Sequence, residues 1–187
     1  QLSVKPDTFI YMKYINIKIL IAQSKKSRYN VTEQRFYERS VDNLPQQMRF
    51  EDISPFVRIA MNLDLSKENC PPPALSYDHR LFYVVSGTGS IDIDGTDYEI
   101  GPGSVMYWMS GIRYAFRVDD EPLNMIAVNF DFTQNNSSDI LTYPTVAPQS
   151  FEKEKVLEHI IFTNFPALNN SICLLDSPAV LPYLQAM

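Results

Sequence analysis

The side chains with the widest chemical reach in this chain are aromatic and cationic rather than nucleophilic. Tyr107, Trp108, Tyr114 and Phe116 fall in one short stretch. Aromatic rings stack on the C–H faces of sugars and on planar ligands, and the Tyr hydroxyl and Trp N–H orient polar groups. The same rings also fill the core of a small barrel. Asn129 shares a strand face with Met125 and Ala127, where its amide can bond a hydroxyl or a carboxylate. Arg58 lies in the Val57–Leu65 run, on the face opposite Ile59 and Met61. An arginine there either pairs with an acid or receives an anionic or polyhydroxy ligand. The chain has 2 histidines and 2 cysteines, and no G-x-S-x-G elbow, P-loop or H-E-x-x-H. Gly87-Thr88-Gly89 lacks the third glycine of a dinucleotide fingerprint and reads as a turn. Asp92 and Asp94 alternate with Ile91 and Ile93, so with Asp97 they read as a solvated face beside a hairpin.

The elements that must position these groups read as strands. Ile15, Ile17, Ile19 and Ile21 alternate with other residues, and Val57 to Leu65 alternates again. Residues 23–50 are polar and aperiodic. Cys70-Pro71-Pro72-Pro73 is a stiff extended connector. From Tyr77 to Phe132, short apolar runs are punctuated at Gly87-Thr88-Gly89, Asp94-Gly95, Gly101-Pro102-Gly103 and Ser110-Gly111. That spacing predicts a small antiparallel barrel or jelly roll. Residues 133–150 read as a loop, 152–165 as helix or strand, and 171–175 as a short strand. Ser177-Pro178 reads as a helix N-cap and first turn. The sequence divides into an N-terminal strand and polar segment over 1–54, a barrel over 55–132 and a C-terminal extension over 133–187.

Composition narrows the class. The 187 residues are 45% hydrophobic and 20% charged, the range of a soluble globular domain. The net charge of −6 argues against contact with phosphates by this chain itself. No run is long enough to span a membrane, no signal peptide is visible, and two isolated cysteines suit a cytoplasmic protein. The chain starts at Gln1 and stops at Met187, where the last helix should be lengthening; this reads as a fragment.

The order of the strands and glycine turns from Arg80 to Phe116 resembles the double motif of the cupins. With Tyr77-Asp78-His79-Arg80-Leu81 and Val85-Ser86-Gly87-Thr88-Gly89, it most resembles the sensor domains of AraC-type transcription regulators. The resemblance implies a mainly β fold: a cupin-like double-stranded β-helix, or jelly-roll barrel, with a few short helices, mostly C-terminal. Metal-binding cupins place three histidines and a glutamate inside the barrel. Here the glutamate position falls on Arg80, the paired histidines near Ala74 and Ser76, and the last histidine on Tyr114. His79 is one residue out of step and should face the other way. No metal and no cofactor is therefore expected.

In that register Arg80 and Tyr114 point inward, and the strand period adds Phe82, Val84 and Phe116. Arg80 then either forms a salt bridge at the barrel mouth or serves a ligand. The expected ligand-binding set is Arg58, Arg80, Phe82, Trp108, Tyr114, Phe116 and Asn129. The resemblance implies an effector-binding and dimerisation domain of a bacterial regulator, a binding module and not an enzyme. Its ligand would be a saccharide, uronate or small carboxylate, and DNA would be bound only by a helix-turn-helix domain that these residues lack. The alternative is a metal-free cupin enzyme such as a sugar isomerase or epimerase. That needs a placed acid and base inside the barrel, and the inward positions offer no His–carboxylate pair.

Overall fold

The computed structural model describes residues 45–138, 145–174 and 178–185. The isoleucine run from Ile15 to Ile21 and the N-cap at Ser177 lie outside them. The chain is mainly β and forms a cupin-like jelly roll. Its strands are β1 (Gln46–Met48), β2 (Phe56–Leu65), β3 (Ala74–Ser76), β4 (His79–Ser86), β5 (Gly89–Ile93) and β6 (Thr96–Ile100). They continue with β7 (Val105–Trp108), β8 (Arg113–Val118), β9 (Leu123–Asp131), β10 (Thr145–Val146), β11 (Ile160–Phe162) and β12 (Ile172–Leu174). One five-stranded sheet runs β10-β3-β8-β5-β6, the other β12-β7-β4-β9-β2, and β1 pairs with β11 as a separate two-stranded ribbon.

Turn chemistry fixes the hairpins. β5 and β6 are joined by Asp94-Gly95, with Ile93 opposite Thr96. Both turn residues have positive φ, 51° and 83°, which the twist-matched two-residue hairpin turn requires. Gly87 also has a positive φ, and a Cβ there would lie 2.1 Å from the Pro122 carbonyl oxygen. The glycine lets the loop after β4 press against the start of β9.

Two cores result. Between the facing sheets lie Phe82, Val84, Met106, Trp108, Met125 and Ala127 from one sheet, and Ile91, Ile93, Tyr114 and Phe116 from the other. On the outer face of the second sheet, Leu81, Tyr83, Tyr107, Val128 and Phe130 pack under β1, β11 and short 3-10 turns. β4 and β9 are thus buried on both faces over most of their length, where the sequence was read as alternating.

The sequence 152–165, open between helix and strand, splits into a 3-10 turn (Lys153–Lys155) and β11. Beyond residue 177 the chain forms a 3-10 turn (Pro178–Val180) and a short helix (Leu181–Gln185). No helix among the described residues is long and apolar enough to cross a membrane.

Candidate functional site

Arg80 stands in the middle of a row across the second sheet. It pairs in register with Trp108 on β7 and with Asn129 on β9. Since Trp108 packs in the core between the sheets, the whole row faces inward. Tyr114 and Phe116 face it from β8, and Phe82 lies two residues along β4. The inward placement of Arg80, Phe82, Tyr114 and Phe116 agrees with the register drawn from the sequence, and His79 faces the opposite way.

Arg80 is 4% exposed, and its charge is met by protein. Nη1 donates to Asn129 Oδ1 at 2.8 Å and Nη2 to Thr145 Oγ1 at 2.9 Å. Nη2 also lies 2.8 Å from Asp78 Oδ1. The salt bridge at the barrel mouth is therefore present, with Asp78 as its acid. A second pair sits beside it: Arg58 Nε donates to Asp131 Oδ2 at 2.8 Å, and Nη2 to the Asn136 carbonyl at 2.8 Å.

Strict alternation put Arg58 opposite Ile59 and Met61. That expectation is corrected by a bulge between Val57 and Ile59. The bulge breaks the period at Arg58 and lets the guanidinium reach the end of β9. Ile59 and Met61 are exposed.

Two buried donors and two buried acceptors among the atoms of this cluster find no hydrogen-bond partner among the described residues. Trp108 Nε1 and Asn129 Nδ2 are donors; Asp78 Oδ2 and Asp131 Oδ1 are acceptors. Such groups are costly to bury unpaired. Burial pushes the Asp131 carboxyl up to about 6, against the pull of its bond from Arg58. Burial raises Asp78 as well, with Arg80 pulling the other way.

The aromatic rings occupy one another. Phe82 stacks on Trp108 with centroids 5.1 Å apart, Trp108 meets Tyr114 at 4.6 Å, and Phe82 meets Phe116 at 5.4 Å. All four are buried. They form the barrel's core, so the polar end carries the open hydrogen-bonding capacity. Tyr107 leaves the group: it faces the outer core and donates to the Leu168 carbonyl at 3.1 Å.

On the outer face, His79 is fully buried. Its Nδ1 accepts from the Ser110 N–H at 3.1 Å, and Nε2 lies 3.3 Å from Glu158 Oε2. Glu158 accepts from the Phe132 N–H at 2.7 Å, from the Thr133 N–H at 2.9 Å and from the Thr133 hydroxyl. Burial pushes its carboxyl up, but its contacts with His79, Thr133 and the Phe132 N–H hold it below the usual range.

Sequence reasoning missed Asp78, Asp131, Thr145 and Glu158. Asp131 was within reach, since period two puts it on the face of Asn129. Thr145 and Glu158 come from distant segments and carry no local signal.

The fold implies a metal site, and the donor set does not fit one. At the corresponding inward positions stand Arg80, Tyr114, Ala74 and Ser76. A guanidinium is a cation, and neither alanine nor serine replaces an imidazole. Among the described residues no three His, Cys, Asp or Glu side chains are grouped to hold a metal.

Residues 70–129 match the family model described as the cupin domain. The matched stretch is similar to the cupin domain and takes in 60 of the 187 residues. No curated protein matches the chain. Solved structures similar to parts of it include the coconut allergen cocosin (19% identity, TM-score 0.35, 37% of this chain and 23% of that one). Another is a predicted oxalate decarboxylase from Thermotoga maritima (21% identity, TM-score 0.33, 39% of this chain and 65% of that one). A third is the DMSP lyase DddQ from Ruegeria pomeroyi (17% identity, TM-score 0.38, 49% of this chain and 52% of that one). The chain spans about a quarter of cocosin's length.

The expectation that this domain is not an enzyme is corrected. Structures similar to it are described as those of enzymes, a lyase and a decarboxylase among them. The His79–Glu158 pair lies on the outer face, while Asp78 and Asp131 place two buried carboxylates at the inner polar end.

Proposed function

We propose that this cupin-like domain is the effector-binding part of an AraC-type transcription regulator, with the ligand held without metal at the polar end of the barrel. The ligand is a saccharide, uronate or small carboxylate, and DNA is contacted by a separate helix-turn-helix domain. The regulator context rests on the resemblance carried by Tyr77–Leu81 and Val85–Gly89. The site rests on one observation: Trp108 Nε1 and Asn129 Nδ2 flank Arg80, are buried, and find no acceptor among the described residues. Ligand oxygens would satisfy both donors, whose desolvation is otherwise uncompensated.

Trp108→Phe is the cleanest probe, because it keeps a stacking ring and removes one N–H. Calorimetry with a panel of sugars, uronates and small acids should show about a tenfold loss of affinity, the scale of one hydrogen bond. Unchanged affinity would remove Trp108 from the site.

A second reading is a metal-free isomerase or epimerase. The raised carboxyl of Asp131, on the same strand face as Asn129, favours it, since a general acid–base works best near ambient pH. Chromatography of each bound sugar after long incubation separates the two: conversion marks an enzyme, and intact ligand marks a sensor.

A further inference from the structure

Two arginines at the mouth of a ligand site invite the expectation of an acidic ligand. The ion pairs point the other way. Arg80 Nη2 lies 2.8 Å from Asp78 Oδ1, and Arg58 Nε lies 2.8 Å from Asp131 Oδ2. The Arg58, Asp78 and Asp131 side chains are 7%, 0% and 0% exposed, and that of Arg80 is 5%. Two buried cations are matched by two buried anions, so this end of the barrel is neutral. An entering carboxylate would bring a third negative charge into a desolvated space with no spare positive charge. Its oxygens would also face Asp78 Oδ2 and Asp131 Oδ1, which are buried acceptors without donors among the described residues. A hydroxyl meets both needs: its oxygen accepts from Trp108 Nε1 or Asn129 Nδ2, and its hydrogen is donated to Asp78 or Asp131.

We infer that the polar end selects uncharged hydroxyl-bearing ligands and rejects carboxylates. This rests on the site reading under Proposed function and narrows its ligand class to one of three. The selectivity has a built-in dependence on acidity. Asp131 is faced by Arg58 from β2, His79 from β4 and Glu158 from the C-terminal segment, with Asp78 and Arg80 completing the group. Protonating Asp131 uncovers the charge of Arg58 while Glu158 stays ionised. The end of the barrel then becomes net positive, and a carboxylate gains a counter-ion.

The test uses matched pairs, galactose with galacturonate, glucose with glucuronate and glycerol with glycerate, titrated calorimetrically into the whole chain. At about pH 7.5 the neutral member of a pair should bind at least about tenfold more tightly, because like charges side by side are strongly disfavoured. Toward about pH 5 that gap should shrink severalfold, as Asp131 gains its proton. Asp131→Asn should show the narrowed gap already at about pH 7.5. The wild-type pH series needs no variant, so a misfolded Asp131→Asn leaves the test intact. A uronate binding as tightly as its sugar near neutral pH overturns the inference and leaves the site standing. No heat from any pair at either pH overturns the site reading, and this inference with it.

Discussion

Arg80 carries two separable roles, and removing it tests the structural one first. Arg80→Ala would leave Asp78 buried with no counter-charge, together with an unpaired Asn129 oxygen. Breaking one side of a buried pair costs about 3–5 kcal/mol, more than a single ligand hydrogen bond. Denaturant unfolding should therefore show a large loss of stability, partly recovered in Arg80→Ala/Asp78→Asn. A stability loss under about 1 kcal/mol would mean that the pair is not formed in solution.

Asp131 supplies a second prediction at this scale. Its folded-state value of about 6 lies above the ordinary 3.8. A raised carboxyl contributes stability that is full below the unfolded value and is lost as pH rises through the folded one. Between about pH 7 and pH 5, wild-type protein should gain stability relative to Asp131→Asn. A difference that stays flat across that window would show that Asp131 does not titrate there.

Among the elements, β4 ties the inner site to the C-terminal segment. Its successive residues face opposite sides: Arg80 bonds Thr145 inside, and His79 lies against Glu158 outside. Just before it, the Tyr77 ring stacks on Phe151 at 5.1 Å. Glu158→Gln keeps the shape but removes the charge opposite His79, and an amide cannot accept through its nitrogen. Amide exchange at Phe132 and Thr133, whose N–H groups Glu158 receives, should quicken in that variant. Unchanged protection there would detach Glu158 from this role.

Gly87→Ala tests the loop after β4. It combines a positive φ with a Cβ that would lie 2.1 Å from a backbone oxygen. A loss of about 1–3 kcal/mol from the backbone conformation alone, increased by the clash, should appear in melting curves.

Much of the barrel was legible in local chemistry. Asp94-Gly95 announces its hairpin, and the motif register turned Arg80 and Tyr114 inward. What stayed hidden depended on long-range pairing. The bulge at Arg58 depends on how β2 matches β9, and nothing in Val57–Leu65 marks it. The partners Thr145 and Glu158 lie far along the chain from Arg80 and His79. Double burial of β4 and β9 was also hidden, because alternation was read there and the cover of the outer face comes from distant segments.

For the molecule as a whole, packing decides where a ligand can sit. The space between the sheets is filled by Phe82, Trp108, Tyr114, Phe116 and aliphatic side chains. Two surface clefts, around Lys67 and Asp120 and around Gly101 and Asp119, lie at the far end of the barrel from Arg80. At the polar end, Trp108 Nε1, Asn129 Nδ2 and two carboxylate oxygens lack hydrogen-bond partners among the described residues. Trp108 sits at that end and is the sole tryptophan of the chain. Its indole N–H therefore gives one isolated resonance in nitrogen-labelled protein, and that resonance reports directly on the proposed contact. When a ligand that gives calorimetric heat is titrated in, the indole peak should shift and saturate with the calorimetric affinity. A ligand that binds while this peak stays where it was would contradict the assignment of the site.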